Sequence, residues 1–101
     1  MTFQSSHQHA IQLINQREYV KAHQILVGLL QQNPSFADGY FLLGIINSEI
    51  GQFNKAVALI EKAVGIQAEP EYWVYLAKCE SILGNYPAAL AHVELSLIHT
   101  R

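Results

Sequence analysis

The sequence of 101 residues is poor in charge, cysteine and proline, and it has no long apolar run. Charged residues make up 14% of it, well below the roughly one quarter of a typical soluble domain. Apolar residues account for 50%, so part of that surplus is expected at the surface. Six Lys plus Arg against eight Asp plus Glu leave a formal charge of −2 with no basic cluster. Counterion release therefore cannot drive association, and nucleic acid is not an expected partner. The single cysteine, Cys79, excludes an internal disulfide and fits a reducing compartment, which makes the cytoplasm the expected location.

The membrane is excluded on similar grounds. The most apolar window, Tyr40 to Ile46, is interrupted by Asn47, Ser48 and Glu49, whereas a spanning helix needs about 20 predominantly apolar residues. The amino terminus, MTFQSSHQHAIQLINQ, lacks the basic start and apolar core of a secretory signal. Gly44 and Gly51 suggest a phosphate loop only at first sight. That loop requires G-x-x-x-x-G-K-[ST], because the lysine reaches the terminal phosphates and the hydroxyl holds magnesium. Here Gln52 and Phe53 follow the second glycine, and the spacing is too long.

No catalytic constellation is visible. No nucleophile elbow or spaced acid pair marks the Ser, His and acidic residues. Cys79, between Lys78 and Glu80, has no evident base and is expected to be an inert packing residue. His7 and His9 would point to different faces of a helix, whereas helical zinc pairs use i, i+4. His92 and His99 could share a face, yet no carboxylate and cysteine complete a site. The chain is expected not to be an enzyme, with no cofactor and no metal.

What the sequence does contain is a repeat. Tyr19, Phe53 and Tyr86 are spaced 34 and 33 residues apart, each followed by an alanine three residues on (Ala22, Ala56, Ala89) and an aliphatic seven residues on (Leu26, Ile60, Val93). A period of this length implies stacked units, here 3–36, 37–69 and 70–101 within one domain. In the second unit Tyr40, Leu43, Ile46 and Ile50, then Phe53, Ala56, Val57, Ile60, Ala63 and Val64, recur at helical spacing. Each unit is predicted to be a helix, a tight turn and a second helix. Gly51 and Gly84 mark where the first helix stops, since glycine accepts left-handed backbone angles. Gly44, Ala10 and Ala77 fall mid-helix, where close approach to Ala56, Ala22 and Ala89 is expected to offset the cost of a small residue.

These residues resemble the tetratricopeptide repeat, whose 34-residue pattern runs W-x2-L-G-x2-Y, then A-x3-F, then P. Trp73, Leu76 and Ala77, then Tyr40, Leu43 and Gly44, supply the first part; Ala56, Ala89 and Pro34 supply the rest. The first copy departs from it, with Ser6 and His9 for Trp and Leu and Arg17 for the turn glycine, as terminal repeats often do. In the second copy Ala68 replaces the proline, and Glu69-Pro70 starts the third.

The resemblance implies an all-α, right-handed superhelix of three helix-turn-helix units acting as a protein-interaction scaffold. Family members serve in chaperone assemblies, in secretion and pilus systems, and as docking segments of larger transferases. The alternative reading is thus a non-catalytic docking segment of a larger enzyme such as a glycosyltransferase or sulfotransferase. The family's groove positions map onto His7, Ile11 and Ile14, then Phe41, Ile45, Ser48 and Glu49, then Val74, Lys78, Ser81 and Ile82. Such a mostly apolar wall would suit an amphipathic helix or an extended apolar segment of a protein or peptide partner. The carboxylate clamp of chaperone-binding members would need Lys, Asn and Arg where this chain has His7, Ile11, Leu42, Glu71 and Tyr75. No such clamp is expected, and Glu71 would repel a carboxylate.

The last predicted helix, YPAALAHVELSLIHTR, leaves Leu90, Val93 and Leu97 as an apolar stripe without the usual polar capping helix. Two explanations compete. The chain could be the amino-terminal part of a longer protein, the favoured expectation, or it could cover the stripe by self-association.

Overall fold

Apolar residues at helical spacing, cut at regular intervals by turn chemistry, give six α-helices in the computed structural model, which describes residues 2–99. They are α1 (Phe3–Asn15), α2 (Tyr19–Gln32), α3 (Ala37–Glu49), α4 (Phe53–Ile66), α5 (Pro70–Ile82) and α6 (Tyr86–His99). No strand occurs among the described residues. Thr2 starts the first helix by accepting a hydrogen bond from the Ser5 amide at 3.1 Å. Pro70 opens α5, where its missing N–H has no helical partner to lose.

The odd-numbered helices end in one way. After α3 the Gly51 N–H donates to the Ser48 carbonyl at 3.0 Å and the Gln52 N–H to the Asn47 carbonyl at 2.8 Å. This paired closure needs a left-handed residue, and Gly51 has φ 83°. Gly84 repeats it after α5 with φ 84°. After α1 the same two bonds form through Arg17 and Glu18, so Arg17 takes φ 63° despite its Cβ. The turn is thus preserved where its glycine is missing, at a cost of about 1–2 kcal/mol.

These three-residue turns fold the helices into the pairs α1 with α2, α3 with α4, and α5 with α6, while α2 on α3 and α4 on α5 join the pairs into one stack. The core runs through its length, with Leu26, Ile60, Leu76 and Cys79 fully buried. Each buried aliphatic contributes about 1.5–3 kcal/mol. Small residues sit where the paired helices cross: Ala10, Ala22 and Ala56 are sealed from solvent, and Ala77 and Ala89 nearly so. At the middle crossing a Cβ built on Gly44 would lie 2.6 Å from Ile60 Cγ1 and 3.3 Å from the Ala56 carbonyl oxygen.

Gly44→Ala is therefore expected to lower stability by about 1–3 kcal/mol in urea unfolding, despite alanine's better helix propensity. A midpoint equal to or above that of the wild type would show that Ile60 yields at no cost.

Candidate functional site

The first helices of the three units, α1, α3 and α5, stand side by side and are tied by a polar relay near their amino ends. His7 Nε2 lies 2.5 Å from Asp38 Oδ2, and the Tyr72 hydroxyl donates to Asp38 Oδ1 at 3.1 Å. One carboxylate thereby links all three units. Phe36 meets the His7 ring edge-on at 4.9 Å. Burial, reinforced by the neighbouring Asp38 carboxylate, pushes the Tyr72 phenol well above its ordinary range. Burial, then Asp38 and Glu69, also raises the Glu71 carboxyl. This end of the row is acidic.

Below the relay Phe41 packs between α3 and α5, with its ring 4.5 Å from Tyr72 and edge-on to Tyr75 at 5.7 Å. Further along the same side of α3, Ser48 is buried beside Cys79. Cys79 is sealed from solvent, and that burial raises its thiol above the usual range. A thiol held in its protonated form is a poor nucleophile.

Two sizeable cavities open on the surface. The larger, about 530 Å³, is a shelf on the turn edge where Val20 and Ile50 project beside Tyr19 and His23. It involves only the first two units. The second, about 470 Å³, is shared by all three first helices. Ile11 and Ile14 of α1, Leu42 and Ile45 of α3, and Tyr75 of α5 are its buried or half-buried part, with Tyr19 closing one side. Asn15, Arg17, Glu49 and Lys78 are its exposed polar part. Two cations and one carboxylate thus meet an apolar floor.

Of the groove residues expected from the sequence, Ile11, Ile14, Ile45, Glu49 and Lys78 come together in this cavity. Phe41 and Ser48 do not: they are 6% and 8% exposed and face α5, so neither is open to a ligand. His7 is half-buried and engaged by Asp38. Val74, Ser81 and Ile82 are exposed but lie outside the cavity. Phe41 is shut against Tyr72 and Tyr75 and Ser48 lies beside Cys79, all on α5, whereas Val74 and Ser81, at the equivalent places on α5, stay exposed and Ile14, the equivalent of Ser48 on α1, lines the cavity.

Leu42, Tyr75, Asn15, Arg17 and Tyr19 were not expected to form the groove wall. Leu42 and Tyr75 occupy positions where clamp-bearing relatives place ligand groups, which is the signal that could have found them. Arg17 is placed by its left-handed turn conformation, which no residue pattern announces.

Two of the histidines, His7 and His92, join neighbouring helices. His92 stacks on Trp73 at 5.2 Å and its Nδ1 lies 2.5 Å from Glu80 Oε1, joining α6 to α5. The His99 side chain lies outside the described residues. Among the described residues no three metal-ligating side chains cluster, and no helix is long and apolar enough to cross a membrane.

The sequence model of the tetratricopeptide repeat matches residues 13–79. No curated protein matches by sequence. Among solved structures, MamA from Desulfovibrio magneticus RS-1 is 23% identical with a TM-score of 0.87; the match covers 98% of this chain and 56% of that one. The chain therefore spans little more than half the length of that MamA chain, which itself runs from residue 41 to the end. The type III secretion translocator chaperone SycD of Yersinia enterocolitica is 20% identical with a TM-score of 0.87, over 94% of this chain and 73% of that one. A further structure of SycD, in complex with a peptide of the translocator YopD, is 18% identical with a TM-score of 0.84, over 92% of this chain and 72% of that one. At these identities the likeness is one of fold.

Two expectations follow for the relay and its neighbours. Phe41→Ala should cost about 3–5 kcal/mol in urea unfolding, as a core aromatic does and a surface one does not. The raised Tyr72 phenol keeps its proton in the folded chain at pH values where the unfolded chain has lost it. Stability should then hold up to about pH 10, the ordinary tyrosine value, and decline above it. Tyr72→Phe should flatten that decline above about pH 10; parallel curves for the two proteins would refute the assignment.

Proposed function

Because the chain belongs to the tetratricopeptide repeat family, we propose that it is a non-catalytic interaction scaffold holding a segment of a partner protein in the groove between α1, α3 and α5. The observation that carries this reading is the cavity of about 470 Å³ to which all three first helices contribute. Its floor is apolar, so burial of a ligand's apolar side chains supplies affinity at about 25 cal/mol per Å². Arg17 and Lys78 at its rim outnumber Glu49 and favour a segment with an acidic residue beside its apolar ones. The acidic group formed by Asp38, Glu69 and Glu71 disfavours acid at the opposite end. The ligand is therefore oriented along the groove.

SycD, similar in fold, has been solved with a peptide of its translocator, which supports a peptide-sized occupant here. The cytoplasm is the proposed location, resting on the lone buried thiol of Cys79.

Peptides selected from a random library on the immobilised wild-type chain provide the test. Calorimetry with Ile45→Glu and with Tyr75→Ala should show at least about a tenfold loss of affinity, equivalent to about 1.4 kcal/mol. Val20→Glu, on the edge shelf, should bind as the wild type does. If Val20→Glu abolishes binding while Ile45→Glu leaves it intact, the shelf is the site and the groove is not.

A further inference from the structure

The three turns that follow the first helices close with the same paired hydrogen bonds, and the residue at their centre is Arg17, Gly51 and Gly84 in turn, with φ of 63°, 83° and 84°. Left-handed backbone suits glycine and penalises any residue with a Cβ. Arginine is therefore not the residue that the turn itself selects. No charge contact within the fold offsets the penalty either. The Arg17 side chain is exposed, and among the described residues the ion pairs join His7 to Asp38, Lys21 to Glu18 and His92 to Glu80. Even the adjacent Glu18 is turned to Lys21, at 4.0 Å.

What distinguishes Arg17 is its place. It lines the cavity shared by the three first helices and also the shelf on the turn edge, as Tyr19 does. Arg17 thus stands where the groove opens onto the shelf. Of the other charged residues lining the groove, Glu49 has the opposite sign and Lys78 holds its ammonium over the Tyr75 ring at 5.1 Å. Among the described residues, Arg17 is the groove cation with no partner in the fold. Strained backbone conformations of this kind gather at ligand clamps.

Resting on the groove reading above, we propose that Arg17 is the specificity-determining residue of the groove, selecting partner segments that carry an aspartate or glutamate side chain where the segment leaves the apolar floor. A guanidinium offers one carboxylate two parallel N–H donors, a match that an ammonium does not reproduce. Because the shelf begins at the same residues, no wall closes the groove beyond Arg17, and the partner chain can run on past it. The recognised carboxylate is thus a side chain within the segment and not a chain terminus. The apolar floor retains any segment of suitable shape by burial; Arg17 sorts among them. Some stability of the turn is given up for that choice.

Peptides selected on the wild-type chain provide the probe, each made also with its acidic residues replaced by the corresponding amides and, separately, with an amidated carboxyl terminus. Calorimetry on the wild type should show about three- to tenfold weaker binding of the Asn and Gln forms and no change on amidation. Arg17→Gly should bind acidic and amide forms alike, while its midpoint in urea rises above that of the wild type. Since that variant is the more stable protein, its lost discrimination cannot come from a lost fold. Arg17→Lys, which keeps the charge without the fork, should fall between the two. Selected peptides that lack an acidic residue, a loss of affinity on terminal amidation, discrimination that persists in Arg17→Gly, or a lowered midpoint for that variant would each overturn the proposal. If Ile45→Glu leaves binding intact, the groove is not the site and Arg17 selects nothing there; if Ile45→Glu abolishes binding while Arg17→Gly still discriminates, the groove stands and the role of Arg17 alone falls.

Discussion

Everything else in this structure depends on how closely the two helices of each unit approach. At the middle crossing Gly44 leaves no room for even a methyl group beside Ile60, and alanines occupy the corresponding places in the other two pairs. A mid-helix glycine costs about 1 kcal/mol in propensity, and the dense contact it permits offsets that loss. Because the pairs are thin, the second helix of one unit can also reach the first helix of the next. The stack is thus a consequence of small side chains at a few crossings.

That stacking sorts the side chains of the first helices into two sets. One set faces the following unit and is spent on cohesion, as His7 on Asp38 and Phe41 on Tyr72 show. The other set lines the cavity shared by the three first helices, as Ile45 and Lys78 do. A carboxylate shared by three helices holds the row in register. The row is therefore held in place by contacts within the fold itself.

Charge is scarce in this chain, so its placement carries more consequence than its amount. Acid collects where the first helices begin, around Asp38, Glu69 and Glu71. Arg17 and Lys78 border the groove towards the other end. Arg17 is held in a left-handed conformation that glycine adopts in the other two turns. Backbone strain of this kind persists only where the surroundings over-determine it, and here the paired closing hydrogen bonds of the turn do so.

The helical class, the three units and the position of each turn were legible in the residues, because a period of 33 to 34 and the spacing of apolar residues are local properties of a chain. Gly51 and Gly84 announced two turns by residue type; the third was placed at Arg17 by the repeat period alone, and its hydrogen bonds rather than its residue type define it. The cavity shared by the first helices was only partly legible: Ile11, Ile14, Ile45, Glu49 and Lys78 line it, but Phe41 and Ser48, expected beside them, are buried. A sequence determines which residues lie on one face of a helix. Which part of that face meets the next unit and which meets solvent is decided by the angle between stacked helices, a quantity that exists only once the side chains of both have packed.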